Sequence, residues 1–216
     1  MRIIKWLLFS NIAFCYRTII LIIFWNSSLL LNAENITDNH ANCHMVVFSN
    51  RAYNAIIQES FGKNPLETGG ILLGHVLDNG VWIVMEVLPP GPKSIFQESY
   101  FEYDYAFVNY LAQSVANQYK EPLDLLGLWH RHPKSMDVFS ATDDGTNITF
   151  AQLNPAGVIS GIVNIDPNFR ITMYHLEYPM GQLMERPNYS LVDVEIGDDI
   201  IPDKYFELRY FNGLIE

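Results

Sequence analysis

The chain has 216 residues, and its 24 Asp and Glu against 13 Lys and Arg give a formal net charge of −11 at pH 7. That length suits one domain with appendages and allows a substantial core, while the acidic balance lacks the basic footprint of a nucleic-acid binder and excludes DNA or RNA as an expected partner. The two cysteines, Cys15 and Cys43, supply neither a disulfide framework nor a thiolate metal cluster, so the domain is compatible with a reducing cytosol.

Residues 1–44 read as a separate apolar N-terminal segment. Arg2, Lys5 and Arg17 precede an uncharged, mostly apolar run from Thr18 to Leu31, interrupted by Asn26-Ser27-Ser28. The run is shorter than the roughly 20 apolar residues a spanning helix needs. Three readings stay open: a signal peptide ending near Leu31-Asn32-Ala33, a membrane anchor with its positive flank inside, or a chain whose translation begins at Met45. His40, His44 and His75 have no partner at metal spacing and read as solvated or packed residues.

From residue 45 the elements are more regular. Met45 to Ser49 is a short β-rich run, and Asn50 to Phe61 carries Tyr53, Ile56, Ile57 and Phe61 at helical spacing, with Asn50 as cap and Gly62 as stop. Two strands, Gly69 to Leu77 and Val81 to Leu88, flank Asp78-Asn79-Gly80, a strong hairpin signal. Pro89-Pro90-Gly91-Pro92 then opens a loop to about Phe101 whose Ile95, Phe96, Tyr100 and Phe101 either face a substrate or pack onto the core. Glu102 to Lys120 reads as a helix presenting Phe107, Tyr110, Leu111 and Val115 on one face, ended by Pro122.

The informative stretch follows. Leu123 to Trp129 is an apolar run of strand length that Pro133 cannot extend. His130 and His132 therefore sit at a strand end and point to one face, roughly 7 Å apart along the strand, close enough to share a metal ion. Arg131 points the other way. Seven residues beyond His132, Ser140-Ala141-Thr142-Asp143 reads as a helix start, with Ser140 as N-cap and Asp143 in the first turn. Two imidazoles and one carboxylate, with a fourth position left to water, have the composition of a catalytic zinc site. Taken singly, His-x-His is also a common surface pair and Ser-x-x-Asp a common helix cap.

A third piece changes the balance. In Glu67-Thr68-Gly69-Gly70-Ile71-Leu72-Leu73-Gly74, a lone carboxylate enters a Gly-Gly apolar strand. Glu before a Gly-rich strand, then His-x-His, seven residues, Ser, two residues and Asp resembles the JAMM, or MPN+, metalloprotease family over residues 45–176. The resemblance implies that His130, His132 and Asp143 are metal ligands for one zinc ion per chain. It implies that Glu67 is the general base toward the attacking water and that Ser140 helps stabilise the tetrahedral intermediate. Arg131 departs from the Ser or Thr common in eukaryotic members, and because it faces away it leaves metal binding undisturbed and puts only neighbouring substrate contacts in doubt. A cupin-like or amidohydrolase-like site would need more His downstream than His175, and a zinc deaminase would need Pro-Cys-x-x-Cys.

After Ser140 a helix runs to about Leu153, broken by Asn154-Pro155, and strands Ala156 to Ile165 and Phe169 to Leu176 flank Asp166-Pro167-Asn168. The order β-α-β-β-α-β-α-β-β describes an α/β domain, a mixed β-sheet flanked by helices, in agreement with the cytidine-deaminase-like JAB/MPN fold that the resemblance implies. Residues 177–216 read as a packing extension or partner-docking arm, with Tyr189 to Ile196 and Tyr205 to Phe211 as candidate strands. No function is assigned to the glycosylation-like triplets at Asn35, Asn147 and Asn188.

The resemblance further implies an isopeptidase or peptidase cutting after the C-terminal tail of a ubiquitin-like protein or its conjugates, working beside conjugation enzymes. A processing peptidase for a small sulfur-carrier protein and a metal-free scaffold module are the alternatives. Scaffold members lack one or more of Glu67, His130, His132, Ser140 and Asp143, all present here. Such substrates place the chain in the cytoplasm; membrane association or export follows only if residues 1–33 are an anchor or signal.

Overall fold

Strand β2 (Thr68–Val76) is buried along nearly its whole length, the pattern of a central strand covered on both faces. A computed structural model describes residues 43–132, 134, 136–178 and 187–209. Beside β2 lie β3 (Val81–Leu88) and β6 (Asp124–Arg131), both antiparallel to it. The β2–β3 turn places Gly80 at φ 81°, the left-handed conformation that Asn-Gly hairpins use. The remaining strands of this sheet are β1 (Met45–Phe48), β7 (Val158–Asn164), β8 (Arg170–Leu176) and β9 (Tyr189–Ile196). The spatial order is β1-β3-β2-β6-β7-β8-β9, and β9 pairs in parallel with β1, closing the sheet into a ring. This is the mixed sheet expected of the α/β class, with β6–β7 parallel and β7–β8 antiparallel.

Helix α1 (Asn50–Gly62) begins one residue earlier than its sequence cue, because the Ser49 hydroxyl accepts from the Ala52 amide while also donating to the Met85 carbonyl. Its buried side is Ala52, Ile56 and Ser60, and Phe61 is exposed, stacking on Phe169 instead. Helix α2 (Tyr105–Ala116) differs more from expectation. It buries Val108, Ala112 and Ala116, whereas Tyr110 is 73% exposed. Small alanines let the helix sit close against neighbouring elements, and the face chosen by aromatic content is rotated away. Helix α3 (Ala141–Ala151) matches its sequence cue at the N-terminus.

The core lies within the ring and beneath α1, around Phe48, Ile56, Leu72, Trp82 and Trp129. Gly70 is required there. A Cβ on it would lie 2.6 Å from the Trp129 indole nitrogen and 2.6 Å from the Leu88 carbonyl, so the bare backbone lets β2 pass against the β6 tryptophan.

Two segments depart from the sequence reading. The aromatic loop after Pro92 contains a two-stranded hairpin, β4 (Ile95–Gln97) and β5 (Tyr100–Glu102). The stretch read as an extension after residue 176 supplies β9, which sits between β8 and β1, so the sheet does not end where the sequence pattern weakens. Tyr205 lies in a 3-10 turn (Asp203–Phe206) and not in a strand, and Leu208 makes only an isolated bridge to Tyr119. Tyr210 and Phe211, like the N-terminal run to Leu31, lie outside the described residues. Among the described residues, no helix is long and apolar enough to cross a membrane.

Candidate metal centre

Strand β6 ends at Arg131, and the chain leaves the sheet at His132. His130 and His132 are both buried, at 7% and 4% exposure, and their Nε2 atoms face each other 2.7 Å apart. Pleat alternation supplies the shared face. The His132 Nδ1–H donates to the Met136 carbonyl at 3.1 Å. A carbonyl can only accept, so this bond puts the proton on Nδ1 and leaves the Nε2 lone pair for an inward ligand.

Helix α3 brings the carboxylate. Ser140 caps it, accepting from the Asp143 amide at 3.2 Å, while the Ser140 amide donates to Asp143 Oδ2 at 2.7 Å. The two bonds form a capping box, and they fix the Asp143 side chain toward the strand end. Its Oδ1 lies 3.5 Å from His130 Nε2 and its Oδ2 3.3 Å from His132 Nε2.

The electrostatics favour positive charge at this point. Burial alone would raise the Asp143 pKa, but the two imidazoles that face it and the Ser140 amide hold the carboxyl well below its usual range. Burial opposes protonation of His132, yet the Asp143 carboxylate outweighs it and raises that imidazole. One ligand atom from each of His130, His132 and Asp143 lies within 4.8 Å of the others. Two imidazole nitrogens and a carboxylate oxygen, the tautomer of one imidazole set by a backbone carbonyl, make a donor set fit for a divalent metal ion.

Glu67 comes from the neighbouring strand. Thr68 pairs with Arg131 and Gly69 with His130, so Glu67, one residue before β2, continues the register to the position opposite His132. Burial raises its pKa, opposed by the charges of His132 and His130. All five residues singled out in the sequence therefore meet at one end of the β2–β6 pair. Ser140 is exposed there, and its hydroxyl, already an acceptor for the Asp143 amide, keeps its proton to donate.

Other contributors carried no sequence signal. Asp137, within the seven-residue spacer, accepts from Arg170 at 2.9 and 3.1 Å and from the buried Asn164 side chain. That clamp ties the loop holding the Met136 carbonyl to the β7–β8 hairpin. Phe139 lies 5.8 Å from the His130 ring and 4.5 Å from Tyr189. Tyr189 of β9 donates to Asp144 at 2.8 Å and accepts from Asn147 at 2.9 Å, bracing the first turns of α3. Asn147 is thus fully buried within a hydrogen-bonded helix. Cys43 is buried and its thiol is pushed up to about 12 by that burial, which disfavours the nucleophilic thiolate.

Arg131 points away from the imidazoles, as alternation requires, toward the 64–66 segment. It is 2% exposed and donates to the Asn64 side chain at 3.3 Å and to the Leu66 carbonyl.

A search of curated proteins finds no match. Among solved structures, the solution structure of protein DSY2949 from Desulfitobacterium hafniense is similar at a TM-score of 0.50 and 16% identity, covering 70% of this chain and 92% of that chain; this likeness concerns the fold. A family model described as prokaryotic homologs of the JAB domain matches residues 49–171, a span that holds Glu67, both histidines, Ser140 and Asp143. The match takes in more than half of the sequence, and the chain belongs to the prokaryotic JAB-domain family.

Proposed function

We propose that the chain is a zinc-dependent metallopeptidase that hydrolyses the amide or isopeptide bond after the C-terminal tail of a ubiquitin-like protein. The observation that carries the reading is the convergence of His130, His132 and Asp143 within 4.8 Å, with Glu67 across the strand pair from His132. The ubiquitin-like substrate is inferred from the family resemblance.

His130, His132 and Asp143 would hold the zinc ion, which when bound supplies Lewis acidity to the scissile carbonyl and to a water molecule. Glu67 takes a proton from the attacking water and delivers it to the leaving amine nitrogen. Its raised pKa suits that double duty, because a base that must also act as an acid works best near the ambient pH. The Ser140 hydroxyl donates to the oxygen on which negative charge develops, and the capping box keeps it there. The half-buried setting of Glu67 limits competing water.

The test is metal content and turnover in a Glu67→Gln variant beside the unmodified protein. The variant is expected to retain about one zinc per chain, as a three-ligand site requires, while cleavage of a ubiquitin-like fusion falls by about a hundredfold or more. Undiminished turnover would remove Glu67 as the base. An unmodified, folded protein that binds no metal would favour the scaffold alternative.

A further inference from the structure

The peptide unit that leads into Glu67 is held from both sides. Its carbonyl, that of Leu66, accepts from the Arg131 guanidinium, and its N–H, that of Glu67, donates to the Gln97 carbonyl of β4 at 2.7 Å. A peptide unit is planar, so holding both ends fixes its rotation and with it the direction in which the Glu67 side chain leaves the backbone. Arg131 also donates to Asn64, inside the turn closed by the Leu66 amide and the Lys63 carbonyl. The Arg131 side chain is buried between two metal-ligand positions in sequence and faces the segment that carries the carboxylate.

We propose that Arg131 is the positioning residue for Glu67: through the Leu66 carbonyl and Asn64, the residue between the two histidines sets the carboxylate's place relative to the metal. Alternation on β6 sends His130 toward the metal and the next side chain to the opposite face. A short side chain there could not span to the 64–66 turn. An arginine can, and its forked donors reach two acceptors at once. One strand end thereby orients both halves of the site, the ligands through one face and the base through the other. The inference rests on the reading of Glu67 as the base, but its structural content concerns the Leu66–Glu67 peptide alone.

The experiment uses the full-length protein and compares Arg131→Met, Arg131→Lys and Asn64→Ala. Hydrogen exchange of the Glu67 amide is followed with and without added zinc, alongside zinc content and, where a cleavable fusion has been found, kcat and KM. Arg131→Met should accelerate Glu67 amide exchange about tenfold or more, keep its zinc, and lower kcat by about tenfold to a hundredfold with little change in KM. Arg131→Lys retains one donor toward Leu66 and should recover part of both effects. Asn64→Ala, at an exposed position, removes one anchor and should give a smaller acceleration, which keeps the test decisive if Arg131→Met does not fold. Unchanged exchange at Glu67 in a folded Arg131→Met, or in Asn64→Ala if Arg131→Met does not fold, would overturn the proposal, as would protection lost equally along the whole of β6. Because exchange is read without catalysis, a failed Glu67→Gln test would remove the base assignment and leave the exchange result to stand alone.

Discussion

Among the described residues, four buried histidines sit in strands or at a strand end of this ring, and two of them converge with a carboxylate. His75 on β2 and His175 on β8 are 7% and 4% exposed, the same range as His130 and His132. What differs is the neighbour at each ring nitrogen. His175 donates from Nε2 to the Ala156 carbonyl at 2.8 Å and lies edge-on to Trp82, while His75 lies tilted against Tyr205 with ring centroids 4.3 Å apart, its pKa lowered by burial. His130 and His132 instead turn Nε2 toward each other and toward one carboxylate. Burial of an imidazole is thus a packing fact, and a metal centre needs a second element to deliver an anion to the same point.

The two kinds of histidine separate most sharply on substitution. His132→Ala is expected to abolish metal binding, taking zinc from about one per chain to none, whereas His75→Leu should retain it in full. Equal loss in both variants, measured by metal analysis of folded protein, would show that the two classes of histidine are not distinct. A smaller effect is expected from Asp137→Ala, which leaves every ligand in place but frees the loop carrying the Met136 carbonyl. Outer contacts of this kind typically contribute tenfold to a hundredfold in metal affinity, and a competition titration against a chelator would read it. Unaltered affinity would mean that the His132 tautomer is held without the clamp. The smallest effect belongs to pH. Because folding lowers the His75 pKa from 6.5, the unfolded chain binds a proton that the folded one does not, so His75 makes stability fall as pH drops below about 6.5. His75→Leu should flatten that decline in denaturant titrations at pH 7 and pH 5; an unchanged slope would place the acid sensitivity elsewhere.

The site was more legible in the sequence than the scaffold around it, for a physical reason. His130, His132, Ser140 and Asp143 lie within one strand end and one helix start, so alternation and capping, both local rules, already bring them together. The β2–β3 hairpin was legible on the same grounds. Helix α2 was not, because its buried contacts come from Ala112 and Ala116, whose apolar signal is weaker than that of the exposed Tyr110. The role of β9 could not be read either, since its partner β1 lies at the opposite end of the domain in sequence and no local pattern encodes a parallel pairing over that distance. Arg131 was legible in part: strand alternation gave its direction but not the 63–66 turn on that side. Asp137 was silent because its partners, Asn164 and Arg170, arrive from a later hairpin.

The closure of the ring has a temporal side. Strand β1 is paired on one edge by β3 and on the other by β9, so during synthesis its second edge stays open until residues 189–196 have left the ribosome. Loop-closure entropy makes so distant a pairing slow, and an uncovered strand edge is a template for pairing with other chains. Strand β6 and helix α3 emerge well before that seam can close. A nascent chain can thus hold all of its site residues while its sheet is still an open surface.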